Sequence, residues 1–247
     1  LERLNLPVEA LDRQQLDTRF PHIKTRDLPG ALLEPECGAL AAQRAVRLLV
    51  SELERSDVRV IRGRVETPNA GHHVSSVRLS DGREIAGERF VFACGAWLPT
   101  IFPDVLDGRI RPTRQTIVYF GTPAGTEPFG PARTPAWVDF PAGIYGVPDV
   151  DDHGLKVGID EHGPAIDPDG DDRVADDAAI ARARVWLERR FPGMRRAPVL
   201  EARVCQYENT STGDFLIDRH PAYDNLWIVG GGSGHGFKHG PAVGEDA

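Results

Sequence analysis

The sequence predicts a mixed α/β (α+β) fold with an antiparallel block inserted into it, and three observations carry that prediction. A stretch free of Gly and Pro from Ala39 to Arg55 has helical spacing of its apolar residues. A hairpin signal at Asp81-Gly82 leads into an apolar strand that stops at Gly95. Between residue 101 and about residue 198, short β-prone runs are separated by Pro and Gly, which favours an antiparallel sheet.

Taken in order, residues 1–35 mix helix-like and turn-like signals, from Val8–Asp12 to Phe20-Pro21-His22, and predict no closed unit. Leu40, Ala45, Leu48, Leu49 and Leu53 then mark the helix over 39–55. Val58-Arg59-Val60-Ile61 reads as a strand. Val74–Leu79 and Glu84-Ile85 are the arms of the hairpin, because Asp-Gly supplies the positive φ that a tight two-residue turn demands. Arg89–Trp97 is the apolar strand, ending at a glycine as strands do where a ligand or another backbone lies against their carboxyl ends. Cys94 within it reads as a small buried apolar residue.

In the inserted block the β-runs are Ile117–Phe120, Ala136–Phe140, Gly143–Val147 and Leu155–Ile159. Asp176–Phe191 is a helix stopped by Pro192-Gly193. The acidic run Asp167–Asp172 resembles the start of a calcium loop, but Ala178 stands where such a loop carries its glutamate, so it reads as a solvated turn. No metal is expected.

Bulk composition narrows the function. The 247 residues hold 29 basic and 37 acidic side chains, a net charge of -8, which argues against nucleic acid and polybasic membrane partners. No run approaches the roughly 18 apolar residues of a membrane span, and no signal peptide is visible. Cys37, Cys94 and Cys205 have no CxxC spacing and are odd in number, so the expectation is a reduced, cytoplasmic protein without a disulfide framework.

Asn225–Val229 reads as a short buried strand, and five of the seven residues from Gly230 to Gly236 are glycine. The backbone there carries little side-chain bulk and can lie close to a flat ligand. It is not a dinucleotide fingerprint, because no glycine in the run has glycines at both the second and the fifth following positions. His235 and Lys238 sit within and just after it.

Cys205-Gln206-Tyr207, the strand Asp214–Asp218 with Arg219-His220-Pro221, and Gly232-Ser233-Gly234-His235-Gly236-Phe237-Lys238 occur in that order. Together they resemble the C-terminal signature of the D-amino-acid-oxidase-like flavoproteins that include monomeric sarcosine oxidase, pipecolate oxidase and fructosyl-amine oxidases. The resemblance runs the whole length of the chain. It implies a partial FAD-binding Rossmann-like domain, residues 36–100 and 205–247, and an antiparallel-sheet substrate domain, residues 1–35 and 101–204. The family's opening strand, Gly-x-Gly-x-x-Gly turn and helix have no counterpart in this sequence, so the expectation is an N-terminally truncated fragment that binds FAD poorly by itself.

The resemblance also assigns residues. Lys156, in Gly154-Leu155-Lys156-Val157-Gly158, matches the lysine that promotes reaction with dioxygen, and Tyr145 matches a substrate tyrosine. Lys238 matches the lysine that pairs with a substrate carboxylate, and His235 lies beside the ring system. Asp160 stands where sarcosine oxidases carry a histidine, which suits an amine-bearing substrate over sarcosine. Cys205 matches the cysteine that in part of the family forms a thioether with the flavin. Gly95, Gly232, Ser233, Gly234 and Gly236 complete the cofactor-facing set.

The function implied is FAD-dependent oxidation of a secondary amine, or an N-alkyl or cyclic amino acid, to an imine, with dioxygen as acceptor and hydrogen peroxide as product. Two alternatives stand beside it. One is a dehydrogenase on the same fold with another electron acceptor. The other is a catalytically silent fragment or subunit whose partner chain supplies the dinucleotide-binding half.

Overall fold

The computed structural model describes residues 6–69, 71–125 and 127–246. In chain order its regular elements are β1 (Glu9–Asp12), α1 (Arg13–Arg19), β2 (Gly30–Leu33), α2 (Ala42–Arg55), β3 (Ser76–Arg78), β4 (Glu84–Ala86) and β5 (Phe90–Phe92). Next come α3 (Leu98–Ile101), α4 (Pro103–Leu106), β6 (Arg111–Phe120), β7 (Trp137–Asp139), β8 (Ile144–Val147), β9 (Leu155–Ile159) and α5 (Asp177–Arg190). The chain closes with β10 (Val199–Asn209), β11 (Leu216–Arg219), β12 (Leu226–Gly230) and α6 (Gly240–Asp246).

Two compact units result: residues 1–39, 115–163 and 172–205 form one, and residues 40–114, 164–171 and 206–247 the other. The division falls inside β6 and β10 and not at residues 100 and 204. Ile101, Phe102, Leu106 and Ile110 pack with Phe90, Phe92, Leu226 and Ile228, which draws residues 101–114 into the second unit.

The first unit is built on β6, β7, β8, β9 and β10, which belong to a five-stranded sheet of order β10-β6-β9-β8-β7. The pairs β6/β9, β8/β9 and β7/β8 are antiparallel, as the Pro- and Gly-spaced runs predict. One face carries Val118, Phe120, Ile144, Leu155 and Val157 against Ala183, Trp186 and Leu187 of α5. Asp176 caps α5 by accepting from the Ala178 amide at 3.0 Å. Trp137 stacks on Trp186 with centroids 4.2 Å apart, and a Cβ at Gly146 would lie 2.0 Å from the Trp137 ring, so this core admits nothing larger than glycine there. Residues 1–35, expected to form no closed unit, instead contribute an antiparallel β1/β2 pair around α1, whose N-terminus is a reciprocal Asp12–Gln15 capping box.

Arg190, at the end of α5, is buried. It donates to Asp139 at 3.0 Å and to Asp27 at 2.5 Å. Hydrogen bonds from Arg190 and Arg189 hold the Asp27 carboxyl down to about 2. This ion network was invisible in the sequence, since its members are far apart along the chain.

The second unit holds a three-stranded sheet of order β11-β12-β5, with β12 antiparallel to β11 and parallel to β5, and the hairpin β3/β4. Asn225 stitches them. Its side chain accepts from the Val74 amide and donates to the Val74 and Glu88 carbonyls. Val58–Ile61, expected as a strand, is not one. The pairing falls a few residues later, where Val65 bridges Leu79 and Ser80 donates to the Arg64 carbonyl. The apolar strand at 89–97 is shorter than expected, because Gly95, at φ 55°, turns the chain into a 3-10 turn over Gly95–Trp97. The helix begins at Ala42, three residues late, and none of its residues is buried.

Asp139→Ala takes the carboxylate from Nη2 of buried Arg190 and leaves Asp27 as its remaining ion partner, so it is expected to lower unfolding free energy by about 1–3 kcal/mol in a denaturant titration. Asp27 behaves differently with pH. Its folded value lies below the unfolded 3.8, so its stabilisation is present above that pH and is lost as pH falls toward 2. Asp27→Asn should flatten the acid limb of a melting-temperature profile between those values.

Candidate active site

Strand β9 presents two faces. Leu155 and Val157 point into the core, so Lys156 and Gly158 point to the opposite face. Cross-strand register brings Tyr119 opposite Lys156 and Tyr145 opposite Gly158. The Tyr145 ring lies over Gly158, where an added Cβ would come within 2.4 Å of it, and Lys156 Nζ sits 5.0 Å from the ring centroid. Cation and aromatic face are thus held together by strand pairing, a geometry in which the ring quadrupole favours the ammonium.

Cys205 lies on β10, half-buried and unpaired with another cysteine. Burial pushes its thiol up, while the cations Lys156, Arg203 and Arg173 pull it down. Lys156 shows the mirror image: burial lowers its pKa first, Cys205 raises it, and Arg203 lowers it further. Arg203, two residues before Cys205, stacks over Tyr119 at 5.5 Å and grips Glu201, with Nη2 donating to Oε2 at 2.7 Å. His153 meets Tyr119 edge-on at 4.6 Å. Lys156, Tyr145 and Cys205 are therefore brought into one electrostatic neighbourhood. Arg203 and Tyr119 join them unforeseen, although the odd-residue alternation Arg203-Cys205 was readable as one strand face. Asp160, by contrast, is exposed just beyond β9, its amide donating to the Gly143 carbonyl at 2.8 Å.

In the second unit the glycine run leaves β12 and turns sharply. Gly231, Ser233 and Gly234 have φ of 77°, 45° and 80°. Ser233, the one non-glycine among them, is fixed by donating to the Gly231 carbonyl at 3.1 Å and accepting from the Thr210 amide at 3.2 Å. The turn packs on Tyr207, whose ring leaves no room for a Cβ at Gly234. Gly232 donates to Glu208 Oε1 at 3.2 Å. His235 meets the Gly213 carbonyl at 3.0 Å through Nε2 and lies edge-on to Phe215. Lys238 is exposed in the 3-10 turn Gly236–His239, its Nζ donating to the His235 carbonyl at 3.3 Å. Gly95 also takes a left-handed φ, and a Cβ there would meet nothing within 4 Å, which leaves its surface open to a ligand.

Residues 1–247 match the family described as FAD dependent oxidoreductase (DAO). The chain is 29% identical over 248 residues to a monomeric sarcosine oxidase of Bacillus sp. (strain B-0618), covering 98% of this chain and 63% of that protein. It is 29% identical over 254 residues to an N-methyl-L-tryptophan oxidase of Salmonella typhi, covering all of this chain and 65% of that protein. Among solved structures, a fructosyl amine:oxygen oxidoreductase (Amadoriase I) from Aspergillus fumigatus superposes with a TM-score of 0.79 at 25% identity, over 97% of this chain and 59% of that one. The chain spans a little under two thirds of the length of these relatives.

Taken separately, the first unit offers a thiol and a cation on one sheet face and the second a glycine turn with little side-chain bulk, and each of these suits a flat aromatic cofactor. A pyrophosphate cradle is not among the described residues, since no Gly-x-Gly-x-x-Gly turn joins a strand to a helix. No group of three or more His, Cys, Asp or Glu side chains among the described residues is arranged to hold a metal, and no described helix is long and apolar enough to cross a membrane.

The electrostatics of Cys205 can be measured without a cofactor. Lys156→Met removes the largest of the pulls toward thiolate, so the pH-rate profile of Cys205 alkylation should move to higher pH. Peptide-resolved labelling with iodoacetamide reads Cys205 separately from Cys37 and Cys94, and an unmoved profile would show that Lys156 does not act on the thiol.

Proposed function

The chain belongs to the family of FAD-dependent oxidoreductases, and from that premise we propose that it oxidises a secondary amine or an N-alkyl or cyclic amino acid to the imine, passing the electrons to dioxygen. N-methyl amino acids are the first substrates to try, as the names of its relatives suggest. The observation that carries the reading is Lys156, a half-buried cation held over Tyr145 beside the Cys205 thiol.

FAD, when bound, supplies the two-electron oxidation. The chain's own residues orient and charge the surroundings. Cys205 would hold the cofactor, by contact or as a thioether, with Lys156, Arg203 and Arg173 favouring its thiolate against the cost of burial. Gly232, Ser233, Gly234 and Gly236 offer backbone without side-chain bulk, and His235 braces the turn from Gly213. Lys156 places positive charge where oxygen gains negative charge, an effect strengthened by the partial exclusion of water. Lys238, now donating to the His235 carbonyl, would exchange that contact for a substrate carboxylate. Asp160 would meet a basic substrate group arriving at the end of β9.

We further propose that FAD is retained only when additional polypeptide, in the same protein or a partner chain, joins the second unit. In support, the apolar face of α2 is exposed, with Leu49 at 62%, and β5 is a sheet edge whose Val91 is 51% exposed. The 247-residue chain purified alone should then show little flavin absorbance, and coexpression with the remaining third of the relatives' length should restore it. Stoichiometric flavin in the isolated chain would refute this.

The two lysines should separate in stopped-flow work on the FAD-loaded protein. Lys156→Met should slow flavin reoxidation by about two or more orders of magnitude, as expected for loss of one preorganised charge, with a smaller change in reduction by substrate. Lys238→Met should weaken substrate capture and leave reoxidation near normal, because its partner charge is already present in the ground state. Native reoxidation in Lys156→Met would replace dioxygen by another electron acceptor and make the protein a dehydrogenase.

A further inference from the structure

We propose that Glu208 is a positioning residue whose carboxyl locks the Gly230–Ser233 turn from behind and so sets the shape in which that turn meets a ligand. Glu208 lies on β10 directly after Tyr207, and it reaches the turn three times. Oε1 accepts from the Gly232 amide at 3.2 Å, and the Glu208 carbonyl accepts from the Ser233 amide at 3.3 Å. Oε2 is buried without a partner, against Gly230: a Cβ on Gly230 would lie 2.9 Å from Oε2, and one on Gly232 would lie 3.2 Å from Oε1. The glycines therefore make room for the carboxyl as well as for any ligand.

The surroundings of Oε2 are hydrocarbon. The same point at Gly230 is 2.4 Å from Leu98 Cδ1 and 3.4 Å from Ile110 Cδ1, and both side chains are buried. A carboxylate with one oxygen orphaned there carries a desolvation cost that a neutral acid largely avoids. Burial accordingly pushes the Glu208 carboxyl up, and the amides of Gly231 and Gly232 offset this only in part. Cys94, from the segment after β5, is the titratable neighbour that senses it: burial and then Glu208 raise its thiol. Leu98, Ile110 and the turn's backbone, which also face the carboxyl, carry no charge. The lock itself is the pair of bonds from the Gly232 and Ser233 amides, and a glutamine keeps it, because its side-chain carbonyl still accepts from Gly232 and it bears no charge.

Hydrogen exchange of the peptide spanning Gly230–Gly234, in the 247-residue chain, tests the lock without any cofactor. Protection of this peptide should fall several-fold in Glu208→Ala, which removes the acceptor, and stay near the native level in Glu208→Gln, which keeps it. Native-like protection in Glu208→Ala or, should that variant not fold, in Glu208→Leu overturns the proposal. The link from turn to cofactor rests on the function proposed above, and it has its own readout. In FAD-loaded protein the flavin absorbance maximum should shift in Glu208→Ala and much less in Glu208→Gln. Loss of that spectral effect with the exchange pattern intact would remove the cofactor reading and leave the lock standing.

Discussion

The pleat of β9 is the constraint on which the candidate site depends. Five residues between two hydrogen-bonded neighbours must alternate faces, and Leu155 and Val157 are fully buried, so Lys156 has no choice of side. A slip of one residue would put the ammonium into the core formed with α5 and expose two large apolar side chains. Burial on one face thus pays for a fixed cation on the other. Gly158 extends the same logic, since its missing side chain is the space the Tyr145 ring occupies, and that ring is what Lys156 faces.

Charge is handled in two opposite ways within the first unit. Arg190 is buried with two carboxylates, a closed arrangement that serves stability and offers nothing to a ligand. Lys156 and Cys205 are half-buried with burial acting against the charged form of each. Each favours ionisation of the other, but neither has an anionic or cationic partner close enough to close the pair among the contacts described. Such a neighbourhood gains when a polarisable group arrives and the thiol reacts or the cation finds negative charge.

Much of this was legible in the sequence where a local rule decides the outcome. Asp81-Gly82 placed the β3/β4 hairpin, Asp176 and Pro192 bounded α5, and Pro and Gly spacing marked β7, β8 and β9 within a residue or two. The site residues Lys156, Tyr145 and Cys205 came from family likeness, while their mutual arrangement came from strand register, which no local pattern encodes. The misses share a cause. Val58–Ile61 has strand propensity, yet propensity makes no strand without a partner, and the bridge formed at Val65. Asp27, Asp139 and Arg190 are brought together only by tertiary packing. Glu208 directly follows Cys205-Gln206-Tyr207, and a glutamate in a strand reads as a solvated side chain until its neighbours prove to be Leu98 and Ile110.

Helix α2 presents an uncovered apolar face. Val46, Leu49, Val50 and Leu53 follow the i, i+3, i+4, i+7 pattern of a face made to be covered, and all four are exposed. Its N-cap Ala41 makes no side-chain hydrogen bond, and the Arg55–Glu52 contact is exposed at both ends. A 14-residue helix with so little local support is marginal in water, since helices of this length draw most of their stability from burying one face. The edge of β5 poses the same question in hydrogen bonds that α2 poses in hydrocarbon. If further polypeptide joins this unit as proposed, a strand added to β5 and apolar side chains laid on α2 would satisfy both at once. The hydrophobic free energy released there would order the helix.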